Sequence, residues 1–136
     1  MTQQEIITNL TEKYLPHIIN LRRTIHKHPE LSNEEQDTAA LLASELKALG
    51  FDVRENIAGG YGVSALLKGN HPGPTVALRT DMDALAVQED TGLSFASETE
   101  GKMHACGHDA HMAILIGTAS VLADMKPAIR GNILFI

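Results

Sequence analysis

Thr75-Val-Ala-Leu-Arg79-Thr-Asp81-Met-Asp83 is the stretch that decides the fold. Its first five residues are short and mostly apolar, as a strand buried at the centre of a sheet would be. The run stops in a loop that carries two carboxylates. In α/β proteins, ligands and catalytic groups gather at the carboxyl ends of such strands. Asp81 and Asp83 are two apart, so they point to the same side if the chain stays extended. One of them could orient a metal-bound histidine, as carboxylates behind metal ligands do. An Asp turn paired with Arg79 explains the same residues without chemistry, so support must come from elsewhere in the chain.

Outward from this stretch the pattern mixes helices with strands. Ile6, Ile7, Leu10, Tyr14, Ile18, Leu21 and Ile25 recur at spacings of three and four, which predicts a helix over 4–27. Pro16 is expected to kink it or divide it in two. His28-Pro29 should end it, because the residue before proline disfavours helix. Ser32 and Glu35 have capping-box spacing and predict a second helix reaching about Leu49, closed by Gly50 in a left-handed cap. Strands are predicted over 51–57, 62–68 and 75–79, punctuated by Gly59-Gly60 and Asn70-His-Pro-Gly-Pro74. Residues 84–105 read as loop with a short strand near Leu93 to Ala96. A third helix is predicted from Asp109 to Asp124, and a further strand from Ile133 to Ile136. This mixture predicts a three-layer α/β domain.

The totals exclude several classes. A chain of 136 residues can build one domain with a real core. With no Trp, three Phe and two Tyr, that core must rest on Leu, Ile, Val and Ala. A net charge of -6 argues against nucleic-acid binding. No apolar run approaches a membrane span, and Met1-Thr-Gln-Gln-Glu5 lacks the look of a signal peptide. A lone cysteine cannot form an internal disulfide. These features point to a cytoplasmic protein. The sequence stops on Ile133-Leu-Phe-Ile136, where natural termini are usually polar. The expectation is a chain cut short, with a final strand made sticky by missing neighbours.

Chemistry concentrates in His104-Ala-Cys106-Gly-His108-Asp109-Ala-His111, which holds the only cysteine and three of the seven histidines. Thiolate and imidazole are ligands for zinc and its neighbours in the first transition row. Gly107 permits the tight backbone that lets Cys106 and His108 converge on one ion. His111 could reach the same region one turn along the helix. The bland alternative is a buried Cys106 beside a helix capped by Asp109. A zinc finger is excluded, because no second ligand pair exists. The segment therefore reads as half of a hydrolytic metal site. A redox-sensing thiol at Cys106 is another reading. Arg22, Arg23, His26 and His28 crowd one helix end, where the helix dipole is reason enough for basic groups. His17 and His71 are expected to face solvent, and Met103, Met112 and Met125 to fill the core.

Met103-His-Ala-Cys106-Gly-His108-Asp109-Ala-His111, Leu78-Arg79-Thr-Asp81-Met-Asp83-Ala-Leu85 and Arg22-Arg23-x-x-His26-x-His28-Pro-Glu-Leu31 together resemble a known family. It is the aminoacylase, hippurate hydrolase and auxin-conjugate hydrolase group of co-catalytic metallopeptidases, and the motifs occur in its order. The resemblance covers the whole chain. It implies a zinc-exopeptidase-like catalytic domain, of which residues 1–136 would be the N-terminal part, without the lid and dimerisation domain. It implies two divalent metal ions (Zn, Mn, Co or Ni) and hydrolysis of the amide bond of N-acyl amino acids or similar small amides. Cys106 and His108 match the family's first two metal ligands, and Asp83 the carboxylate beside the site. The later Glu and His ligands and the catalytic Glu have no counterpart here, so the isolated chain is expected to be inactive. The alternative is a non-catalytic remnant that binds metal or a partner. In full-length form a homo-oligomer is expected, with no nucleic-acid or membrane partner. Ala86 departs from the pattern, which commonly has Pro there.

Overall fold

Helix α1, Gln3–Lys27, begins at a capping box that the sequence reading missed. Thr2 Oγ1 accepts from the Glu5 N–H at 3.2 Å, and Glu5 Oε2 accepts from the Thr2 N–H at 2.7 Å. The computed structural model describes residues 1–136. Pro16 lies inside α1 without dividing it. It sits on the solvent side, while Leu21 and Ile25 further along are buried against the rest of the fold. Packing of that second half outweighs the missing N–H.

Helix α2, Gln36–Ala48, does not use the expected Ser32–Glu35 capping box. Glu35 occupies the cap position with no side-chain bond. Glu30 caps instead, its two carboxylate oxygens accepting from Asp37 N–H at 3.1 Å and Thr38 N–H at 2.7 Å. One carboxylate thereby satisfies two orphan donors and sits favourably on the helix dipole. At the other end Gly50 has the expected left-handed φ of 83°. Its N–H meets Lys47 O while Phe51 N–H meets Leu46 O, the two bonds of a Schellman ending.

The sheet has strands β1 Asp52–Ile57, β2 Gly62–Lys68, β3 His71–Leu78 and β4 Arg130–Phe135, in the order β1-β2-β4-β3. β1 and β2, and β2 and β4, pair antiparallel, whereas β3 and β4 pair parallel. Helix α3, His108–Asp124, lies in the connection between β3 and β4. Val63, Ala65, Leu67 and Phe135 from one sheet face meet Leu42, Leu46, Met112 and Ile116 from α2 and α3. α1 packs along α3. The expected α/β class is therefore present, as a four-stranded mixed sheet with helices packed on it.

Three expectations need correction. Within residues 1–136 the stretch 75–79 does not lie at the centre of the sheet; β3 begins earlier and is exposed among these residues. Among these residues it pairs with β4. The final strand does not lack neighbours, since β4 lies between β2 and β3 and Ile136 N–H bonds Leu78 O at 2.9 Å. No strand forms near Leu93 to Ala96. Phe95 there turns edge-on to His26, 5.6 Å between ring centroids, with the Arg22 and Arg23 guanidiniums 5.2 and 5.0 Å from its ring. Loop 84–105 is tied down by single bridges, Leu31 to Ala84 and Leu85 to Met103.

Candidate functional site

The site forms where the loop leaving β3 meets the start of α3. Arg79 Nη2 donates to Asp81 Oδ1 at 2.5 Å, so the Asp–Arg pairing of the bland reading exists. Asp83 instead turns to His108. Its backbone oxygen accepts from His108 Nδ1 at 2.8 Å, and its Oδ1 lies 3.0 Å from the same nitrogen. With Nδ1 donating, the lone pair of a neutral ring is on Nε2. Nε2 faces Asp81 Oδ2 across 4.0 Å. An ion bound to both atoms would span roughly 4.0–4.3 Å if its bonds were collinear and less if bent, so the gap admits one.

Cys106 is exposed and unpaired, which corrects the buried-cysteine alternative. The cap of α3 is Gly107 in the left-handed region, φ 89°, with no side-chain bond, so Asp109 is not the cap. The positive φ is the feature that lets residues 106 and 108 project from one turn. His111, on the exposed side of α3, lies with its ring centroid 6.5 Å from that of His108. Thiol, imidazole and carboxylate here are donors suited to a divalent transition ion. No three of the His, Cys, Asp and Glu side chains converge closely enough to enclose one.

Behind this surface lies a polar network that the dipole account of Arg22 and His26 missed. Asp109 is fully buried, and its Oδ2 accepts from Arg22 Nε and from His26 Nδ1, both at 2.7 Å. His26 Nε2 meets Glu89 Oε1 at 3.2 Å. Glu89 also accepts from Thr91 Oγ1 at 2.5 Å and Ser97 N–H at 2.6 Å. Burial alone would raise the Glu89 carboxyl, but the bonds from Thr91, Ser97 and His26 hold it below its ordinary 4.5. The sequence carried one signal for this network. Arg22 and His26 are four apart and flank the apolar stripe of Leu21 and Ile25, so they lie on the buried side of α1. His104 is buried too, and neither of its ring nitrogens has a partner, nor does Asp109 Oδ1. Burial pushes the His104 imidazole down from 6.5, with His26 and His108 adding to the effect and Asp109 and Asp83 opposing it.

His17 and His71 face solvent as expected, and Met112 is a core residue. Met103 and Met125 are half-buried. No helix is long and apolar enough to cross a membrane.

Residues 77–136, from the end of β3 through the site to β4, match the model of peptidase family M20/M25/M40. Thermostable carboxypeptidase 1 of Saccharolobus solfataricus is 49% identical over 85% of this chain and 30% of its own length. The N-acyl-L-amino acid amidohydrolase of Geobacillus stearothermophilus is 42% identical over 100% of this chain and 36% of its own. The crystal structure of the Bacillus subtilis YXEP protein, described as a dinuclear metal binding peptidase of the M20 family, superposes with a TM-score of 0.86. It is 40% identical, over 91% of this chain and 35% of that one. The chain thus spans about a third of the length of these relatives. With the family's pattern on the site-bearing residues 77–136 and this identity along nearly its whole length, the chain is similar to members of peptidase family M20/M25/M40.

Proposed function

We propose that residues 1–136 form the N-terminal part of the catalytic domain of a metal-dependent amidohydrolase that uses two divalent ions. The substrates are N-acyl amino acids or similar small amides. The single observation that carries this reading is the posture of His108. Its Nδ1 is pinned by Asp83 and its Nε2 faces Asp81, beside the exposed Cys106 thiol. The names of the relatives support the substrate class, since they include an N-acyl-L-amino acid amidohydrolase and an N-acetylcysteine deacetylase.

In this reading Cys106 and His108 hold metal. The bound ions supply a water of lowered pKa and a polarised scissile carbonyl. Asp83 holds the proton of His108 on Nδ1 and so keeps Nε2 available. Arg79 holds Asp81 in place from its far oxygen. Cys106 binds only after giving up its proton, so metal affinity rises with pH. An exposed, unpaired cysteine suits a reducing compartment, and we place the protein in the cytoplasm.

The test is a chimera in which residues 1–136 replace the matching third of the Geobacillus amidohydrolase. It is expected to hydrolyse N-acetyl amino acids when Mn²⁺, Co²⁺ or Zn²⁺ is supplied. Cys106→Ser and His108→Ala should each lower kcat/KM at least ~100-fold, as withdrawal of several kcal/mol of metal assistance would. A folded chimera that ignores added metal and leaves the amides intact overturns the proposal.

A further inference from the structure

We propose that Asp109, His26 and Glu89 form a positioning clamp that fixes Cys106 and His108 relative to each other. The inference rests on the reading of those two residues as metal ligands. Cys106 directly follows loop 84–105, and His108 opens α3. Only Gly107 separates them, at a positive φ of 89° with no side-chain cap. Glycine is the residue least able to hold one conformation unaided. Whatever fixes the separation of the thiol and the imidazole must therefore reach across Gly107 from both sides.

The buried network does this. On the helix side, Asp109 directly follows His108, and its Oδ2 is held by His26 Nδ1 and Arg22 Nε at 2.7 Å each. On the loop side, Glu89 accepts from Thr91 and Ser97, so its carboxylate belongs to the loop that leads to Cys106. His26 joins the two sides through its opposite ring nitrogens. Its side chain and that of Glu89 are 3% and 2% exposed, and Asp109 is 0% exposed. Both halves are thereby referred to one rigid object, the C-terminal end of α1. Buried ionic groups of this kind are weak contributors to stability, because desolvation offsets their attraction. A role in fixing geometry accounts for their presence better than a role in holding the fold together.

The experiment is a Co²⁺ titration of the full chain, read by the near-ultraviolet thiolate-to-cobalt absorption that reports Cys106 ligation. The wild type is compared with Glu89→Gln, His26→Gln and Asp109→Asn, and with Glu98→Gln as a surface control on the Lys27 and His28 side of the loop. Glu89→Gln is the deciding variant, because it keeps the shape of the side chain and disturbs only the loop end. Loss of the clamp is expected to make Co²⁺ affinity about 10–100-fold weaker in the folded variants, the range seen when partners behind metal ligands are lost. The absorption at saturation should also weaken, and the control should match wild type. Lowered thermal stability with unchanged affinity and absorption in Glu89→Gln assigns the network a purely structural role and overturns the clamp alone. A wild type without thiolate absorption overturns the clamp and the metal-ligand reading together.

Discussion

Asp83 engages His108 twice, through its backbone oxygen and its carboxylate, so the ring orientation has support from a group that no side-chain substitution removes. Glu89 is the opposite case, since its bonds to His26, Thr91 and Ser97 all pass through its carboxylate. Its native value lies below 4.5, with hydrogen bonds overcoming the burial that would raise it. A carboxyl depressed in the native state adds stability above its unfolded value and loses it as pH falls through the native one. Urea unfolding is therefore expected to show stability falling from pH 4.5 downward, with a shallower fall in Glu89→Gln. Equal slopes in the two proteins would show that Glu89 carries no part of the acid response. The residue types at 106 and 108 were legible in sequence because donor chemistry is a property of the side chain. The roles of His26, Glu89 and Asp109 were not, because they arise from contacts between residues 63 and 83 positions apart.

At the scale of elements, the strands 51–57 and 62–68 and the helix over 109–124 were read to within a residue or so from apolar spacing. Spacing failed where a distant group decided the outcome. Glu30 took the capping role from Ser32, and packing on α3 carried α1 through Pro16. The junction of β3 with β4 is the most demanding contact in the sheet. Gly131 has φ 85°, and a Cβ placed there would lie 1.9 Å from Pro74 O. Gly131→Ala is expected to destabilise the protein by more than the ~1–3 kcal/mol of an unfavourable backbone region, because two strands must also move apart. Thermal unfolding measures this; a variant as stable as wild type would mean that the strands can separate freely.

For the whole molecule, metal binding and folding should be linked. Cys106 and His108 are brought together with Asp81 and Asp83 by the packing of α3 against the sheet, so an ion bound there stabilises the native state only. At a free concentration a hundredfold above its Kd, Co²⁺ or Zn²⁺ is expected to add about 2.7 kcal/mol to unfolding, reversibly with chelator. The gain should vanish in His108→Ala. An equal gain in that variant would place the ion elsewhere.

The sequence by itself determined the α/β class, most helices and strands, and the ligand-type residues 106 and 108, because these depend on periodicity within an element or on side-chain chemistry. Tertiary structure alone decided that, within residues 1–136, β4 lies between β2 and β3, since strand order depends on which chain segments pair. It also decided that Asp83 turns to His108 while Asp81 turns to Arg79, although identical side chains two residues apart look equivalent in sequence. The buried network behind the site belongs to the same level. It joins α1, loop 84–105 and α3, and such contacts exist only once the chain has closed over them.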